Sequence, residues 1–200
     1  SITTSYGNDA GLTITLMNSQ DTPISDAVIY VDLDGIKNYT TDKKGQINVP
    51  ISNLAPNNYV TKIKFYENDY YIGASAETAV IIKKSNTKLN VDYLNDGSGL
   101  IVTLRDNQSK PISKMSVSVD LDGVKNYTTD AEGRIFIPTH DLMSDSYAVK
   151  IEFDGNENYT GSELETTVII KKATKLTADN LIVNYNDNQE FIITLKDSAN

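Results

Sequence analysis

The chain has 200 residues, no cysteine, one histidine and a net charge of −9. This composition excludes disulfide staples and tetrahedral Cys/His zinc, and the acidic balance argues against a nucleic-acid partner, which calls for clustered Lys and Arg. No apolar run suits a transmembrane helix and no leader-like segment heads the chain; the sequence stops partway through a repeat, as an excerpt of a longer protein would.

Strands are expected near residues 2–6, 12–17, 27–33, 36–41, 46–50, 59–66 and 77–83, followed by a second round of the same elements. The second round is visible because Val31 to Asp42 (VDLDGIKNYTTD) returns 88 residues on as Val119 to Asp130 (VDLDGVKNYTTD). Thr78 to Lys84 (TAVIIKK) returns at the same spacing as Thr166 to Lys172 (TTVIIKK). That period is too long for solenoid repeats of roughly 20–50 residues and suits tandem small domains.

Comparison of the copies shows which face of each strand points inward. Ile29, Val31 and Leu33 match Val117, Val119 and Leu121, whereas Val28 and Tyr30 match Ser116 and Ser118. Such period-2 patterning marks a strand with one wet face. The same test turns Tyr59, Ile63 and Phe65 inward with Tyr147, Ile151 and Phe153, and leaves Lys62, Lys150, Lys64 and Glu152 in water. Asp34-Gly35 and Asp122-Gly123 read as two-residue hairpin tips, since Asp-Gly supplies positive φ. The turns Thr41 to Gly45 and Thr129 to Gly133 follow, with Asp bonding its own backbone. Ser52 to Pro56 and Thr139 to Met143 are the places for a short helical turn.

Seven short strands per copy without helical periodicity predict an all-β chain of tandem immunoglobulin-like β-sandwiches. The domain boundaries read as repeat 1 at 1–84, repeat 2 at 85–172, and the first two strands of an incomplete third repeat at 173–200. Tyr59 and Tyr147 open the sixth strand, where such sandwiches often tie a corner with a tyrosine hydroxyl; a core tyrosine with its hydroxyl in water is the other reading. The connectors at 83–89 and 171–176 lack Gly and Pro, so limited bending and a head-to-tail pair are expected. Leu181, Val183, Phe191, Ile193 and Leu195 of the third repeat would be an exposed edge, which predicts strand exchange or self-association through 173–200, within the chain or with a neighbour.

Catalytic patterns are lacking. His140 stands where copy one has Ser52, and no serine sits in a nucleophile elbow, so no enzyme and no cofactor are expected. Asp32, Asp34, Asp120 and Asp122 form D-x-D-G fragments and are the candidates for calcium, although alternate residues entering a hairpin give the same spacing. Asp154 to Glu157 with Asp92 or Asp96 is a second acidic candidate. Asn38, Asn107, Asn126 and Asn158 each satisfy the N-x-Ser/Thr glycan acceptor pattern, and repetition favours Asn38 and Asn126. Tyr30, Tyr66, Tyr70 and Tyr71 are candidate surface contacts that could stack on sugars or a partner, or else pack at a domain end.

The phrases Asn53 to Val60 (NLAPNNYV) and Asn156 to Ser162 (NENYTGS), the twin NYTTD runs and the VIIKK…TKL connectors resemble the bacterial-type Ig-like repeats of adhesin-like surface proteins, especially those of methanogenic archaea. Copy two departs in the NLAP loop, having Asp141-Leu142-Met143-Ser144. The resemblance covers both copies and the tail. It implies a non-catalytic, secreted cell-surface module that spaces or presents adhesive regions, with a cell-surface or glycan ligand. The alternative is an accessory or carbohydrate-binding module of a secreted enzyme.

Overall fold

A computed structural model describes residues 1–94 and 97–197, and they form two compact units. The first comprises residues 1–87 together with 106–108 and 154–161; the second comprises 88–105, 109–153 and the chain from 162 onward. Among the described residues every regular element is a strand. Among the described residues no helix is long and apolar enough to cross a membrane.

In the first unit the strands are β1 (Ile2–Ser5), β2 (Gly11–Thr15), β3 (Val28–Asp32), β4 (Ile36–Thr40), β5 (Gln46–Pro50), β6 (Asn57–Phe65) and β7 (Ala74–Lys83). One sheet runs β1-β7-β6-β3-β4 and the other is the pair β2-β5. Leu12, Ile47 and Val49 of the small sheet pack with Ile29, Val31, Phe65, Val80 and Ile82 of the large one. Two sheets sharing one apolar interior make a β-sandwich. The expected inward faces hold, since β3 alternates exposed Val28, Tyr30 and Asp32 with buried Ile29 and Val31.

Copy two repeats the plan with β8 (Thr87–Tyr93), β9 (Gly99–Asp106), β10 (Ser116–Asp120), β11 (Val124–Thr128), β12 (Arg134–Pro138), β13 (Ser146–Phe153) and β14 (Ser162–Ile169), all but Thr87 and Asp106 in the second unit. Its sheets are β11-β10-β13-β14 and β12-β9-β8, and Val117, Val119, Val149, Ile151, Phe153, Leu100, Val102, Ile135 and Ile137 are buried. The first strand of each copy takes a different partner: β1 runs parallel to β7, with Ile2 beside Val80, whereas β8 joins β9.

The corner tyrosines do tie back. Tyr59 donates its hydroxyl proton to Ala55 O at 2.9 Å, and Tyr147 to Met143 O at 3.2 Å. Burial, and secondly the charge of Asp34, push the Tyr59 hydroxyl pKa above its ordinary value. The hairpin tips differ from expectation. Asp32 pairs with Ile36 and Asp120 with Val124, so each loop has three residues, and only the glycine takes positive φ, 88° at Gly35 and 84° at Gly123. The reason is Leu33, which continues the inward alternation and packs against the core instead of pairing across the tip. The two short helical turns form as single non-helical turns, closed by Leu54 N–H to Ile51 O and Leu142 N–H to Thr139 O.

The tail forms β15 (Thr174–Ala178) and β16 (Ile193–Asp197), which pair with each other in a two-stranded sheet. Leu176, Ile182, Val183, Phe191, Ile193 and Leu195 all stay exposed.

Candidate functional site

The outward face of β3 and β6 collects aromatic side chains. Alternation places Val28 and Tyr30 of β3 on the wet side, and pairing sets Tyr30 opposite Lys64 of β6. Tyr66, just past the end of β6, meets Tyr30 edge to face, with ring centroids 5.1 Å apart and planes at 84°. Lys64 Nζ lies 4.3 Å from the Tyr66 ring centroid. A crossed pair of rings with an ammonium over one of them offers apolar faces to a sugar ring or an aliphatic surface, and a cation to an acidic neighbour. Lys64 was legible only as a solvent-facing charge. Its place between Tyr30 and Tyr66 follows from period-2 spacing once the β3–β6 register is known.

Tyr70 and Tyr71 are not part of that face but lie in the loop between β6 and β7. Asn68 shapes this loop: its N–H donates to Tyr71 O, and its Oδ1 accepts the N–H groups of Tyr70 and Tyr71. The loop turns Tyr70 and Ile72 outward, 85% and 88% exposed. The sequence-predicted tyrosines therefore divide into a sheet-face pair and a loop pair.

The calcium candidates are exposed at their hairpins, with Asp32 beside Lys62 across the β3–β6 ladder. Among the described residues no three His, Cys, Asp or Glu side chains are grouped to hold a metal ion. Asp96 lies outside the described residues. His140 is exposed and 3.3 Å from Asp141, its neighbour in sequence.

The glycan acceptor candidates sort by geometry. Asn38 and Asn126 are exposed on β4 and β11, each at an edge of its sheet. Asn107 accepts a hydrogen bond from Ser85 Oγ and donates to Ser5 Oγ, and the half-buried Asn158 gives its carbonyl to Ser85 N–H. Attachment at the Asn107 amide would compete with its bond to Ser5 inside the first unit, whereas Asn158 is engaged there through its backbone.

No protein-family model and no curated protein matches the chain. Among solved structures it is similar to invasin, a bacterial integrin-binding protein, at 14% identity and a TM-score of 0.45, over 96% of this chain and 43% of that one. The chain thus spans less than half the length of that protein. It is also similar to the fibronectin(III)-like modules of Clostridium thermocellum CbhA at 18% identity and a TM-score of 0.29, over 84% of this chain and 88% of that one. At these scores neither likeness bears on ligand, activity or partner.

Proposed function

We propose that the chain is an extracellular, non-catalytic repeat module of a cell-surface adhesin, in which a sandwich scaffold presents an adhesive face for attachment to cells or surfaces. The observation that carries this reading is the Tyr30–Tyr66 pair with Lys64 on the wet face of the first unit. Copy two keeps the scaffold and has Ser118, Asp154 and Glu152 at the matching positions, so the aromatic face is not a by-product of the fold. Repetition along a longer protein would turn weak single contacts into avidity. The Asn38 and Asn126 side chains are open to modification in a host that glycosylates exported proteins.

The test is binding of the 200-residue chain to a glycan array and to intact cells, at physiological salt with and without calcium. Saturable binding that falls about tenfold or more in a Tyr30→Ala, Tyr66→Ala double variant supports the adhesive face. Absence of binding by the unaltered chain defeats it and leaves a spacer. Binding to soluble polysaccharide but to no cell surface favours the accessory module of a secreted enzyme, which the same ring pair would also serve.

A further inference from the structure

Two segments of this chain share one plan and meet different surroundings. In 66–73, Asn68 closes the loop through Tyr71 O and the N–H groups of Tyr70 and Tyr71. In 154–161, 88 residues on, Asn156 does the same through Tyr159 O and the N–H groups of Asn158 and Tyr159. In the second segment residues 158–160 are half-buried within the first unit. The fully buried Ser85 donates its N–H to Asn158 O at 2.9 Å and accepts the Thr160 N–H at 3.0 Å, forming a parallel bridge opposite Tyr159. Thr87 Oγ1 donates to Thr160 O, and Tyr6 meets the Tyr159 ring edge-on at 5.5 Å and 88°. Burial raises the Tyr159 hydroxyl pKa, with Tyr6 and Asp106 adding to the shift.

Segment 66–73 has the same internal bonds and stands in water. Tyr70 and Ile72 are exposed where Asn158 and Thr160 are half-buried. An isoleucine at the place of Thr160 leaves apolar surface that burial would favour.

We propose that loop 66–73 is a docking loop for the connector of another sandwich of this kind, and that in this chain its occupant is residues 171–174 with Tyr93 of a second copy. The occupant follows from the covered segment. Lys171-Lys172-Ala173 answers Lys83-Lys84-Ser85 at the 88-residue spacing, and Tyr93, next to Leu94 at the place of Tyr6, lines the groove beside them. Tyr6 bonds Lys83 O through its N–H at 2.9 Å, and Tyr93 reaches Lys171 O through its hydroxyl at 3.1 Å. In the second unit Tyr93, Lys171, Lys172, Ala173 and Thr174 line an open groove. Ser85 uses only its N–H and carbonyl in the bridge, and Ala173, which lies before β15, carries both. Loop and groove are different surfaces, so the contact is heterologous and adds molecules in series.

Sedimentation velocity of the 200-residue chain, from about 10 μM to about 1 mM, reads the association at the effective concentration a short connector would supply. The unaltered chain should form oligomers at the upper end. Ile72→Asp, on an exposed loop, and Ala173→Arg, in the exposed groove, should each weaken association about tenfold or more with unchanged circular dichroism. An equimolar mixture of the two variants should form a dimer and stop there, because one good loop meets one good groove. A monomer throughout the range overturns the proposal. Oligomers undiminished by Ile72→Asp also overturn it and assign association to the exposed strands of the tail.

Discussion

The outward face of β3 and β6 in copy one and that of β10 and β13 in copy two share a backbone and little else. Val28, Tyr30, Lys64 and Tyr66 stand where the second copy has Ser116, Ser118, Glu152 and Asp154. Beside the latter, Lys150 reaches Glu163 at 3.3 Å and Glu165 at 3.9 Å, and the hydrogen bond to Glu163 is the chief cause that holds its ammonium pKa above the usual lysine value. Behind both faces the interior barely changes: Ile29, Val31 and Phe65 become Val117, Val119 and Phe153. The backbone is copied even where residue chemistry disfavours it, since Lys114 keeps the positive φ of Asp26, 59° against 56°. A close-packed interior tolerates only swaps of similar volume, while the wet face can be rewritten without unfolding the sandwich. A face of rings in one copy and of charges in the other is therefore a difference the fold does not require.

The comparison breaks if inner and outer positions of one strand prove equivalent. Ile29→Ala should cost about 2–5 kcal/mol in urea unfolding, because Ile29 is 1% exposed and leaves a cavity. Its neighbour Val28, on the wet face, should cost within about 0.5 kcal/mol when changed to Ala. Equal losses at the two would end the inner-outer distinction.

A smaller effect sharpens it. Thr61 is fully buried with its Oγ1 unbonded, and the matching residue of copy two is Val149. Thr61→Val should raise the stability of the first unit by about 1 kcal/mol, since a buried hydroxyl without a partner costs about that much or more. A loss on that change would show that the copies' interiors are not interchangeable.

The smallest effect is electrostatic and shared. Asp42 Oδ1 accepts the N–H groups of Gln46 and Lys44, and Asp130 Oδ1 those of Arg134 and Glu132. These bonds hold both carboxyls below the ordinary 3.8. A carboxyl lowered on folding stabilises above its unfolded pKa, and the contribution fades as pH falls through the folded value. Melting temperatures should therefore drop below about pH 4. Asp130→Asn keeps the acceptor and removes the charge, so the acid-side drop should flatten for the second unit alone. An unchanged pH profile would sink this assignment.

Some of this was readable without coordinates because it is local. Alternation at period 2 set the inward face of β3 from Ile29, Val31 and Leu33, and the same Leu33, followed one residue further, argues for a three-residue tip where Asp34-Gly35 by itself suggests two. The twin NYTTD runs and the corner tyrosines marked strands and a tie whose partner, Ala55 or Met143, lies four residues away. What stayed out of reach depends on chain segments far apart in sequence. Nothing near Ile2 says that β1 will lie beside β7 while β8 joins β9, and nothing near Asn107 or Asn158 says that Ser85 will engage both.

The sequence by itself determined the tandem plan, the strands and their buried faces, because spacing along the chain fixes which side a residue faces. Only the tertiary structure decided that Tyr30, Lys64 and Tyr66 meet while Tyr70 and Ile72 stand apart on a loop. That choice depends on the register between β3 and β6 and on the path of the chain from β6 to β7, which long-range packing sets.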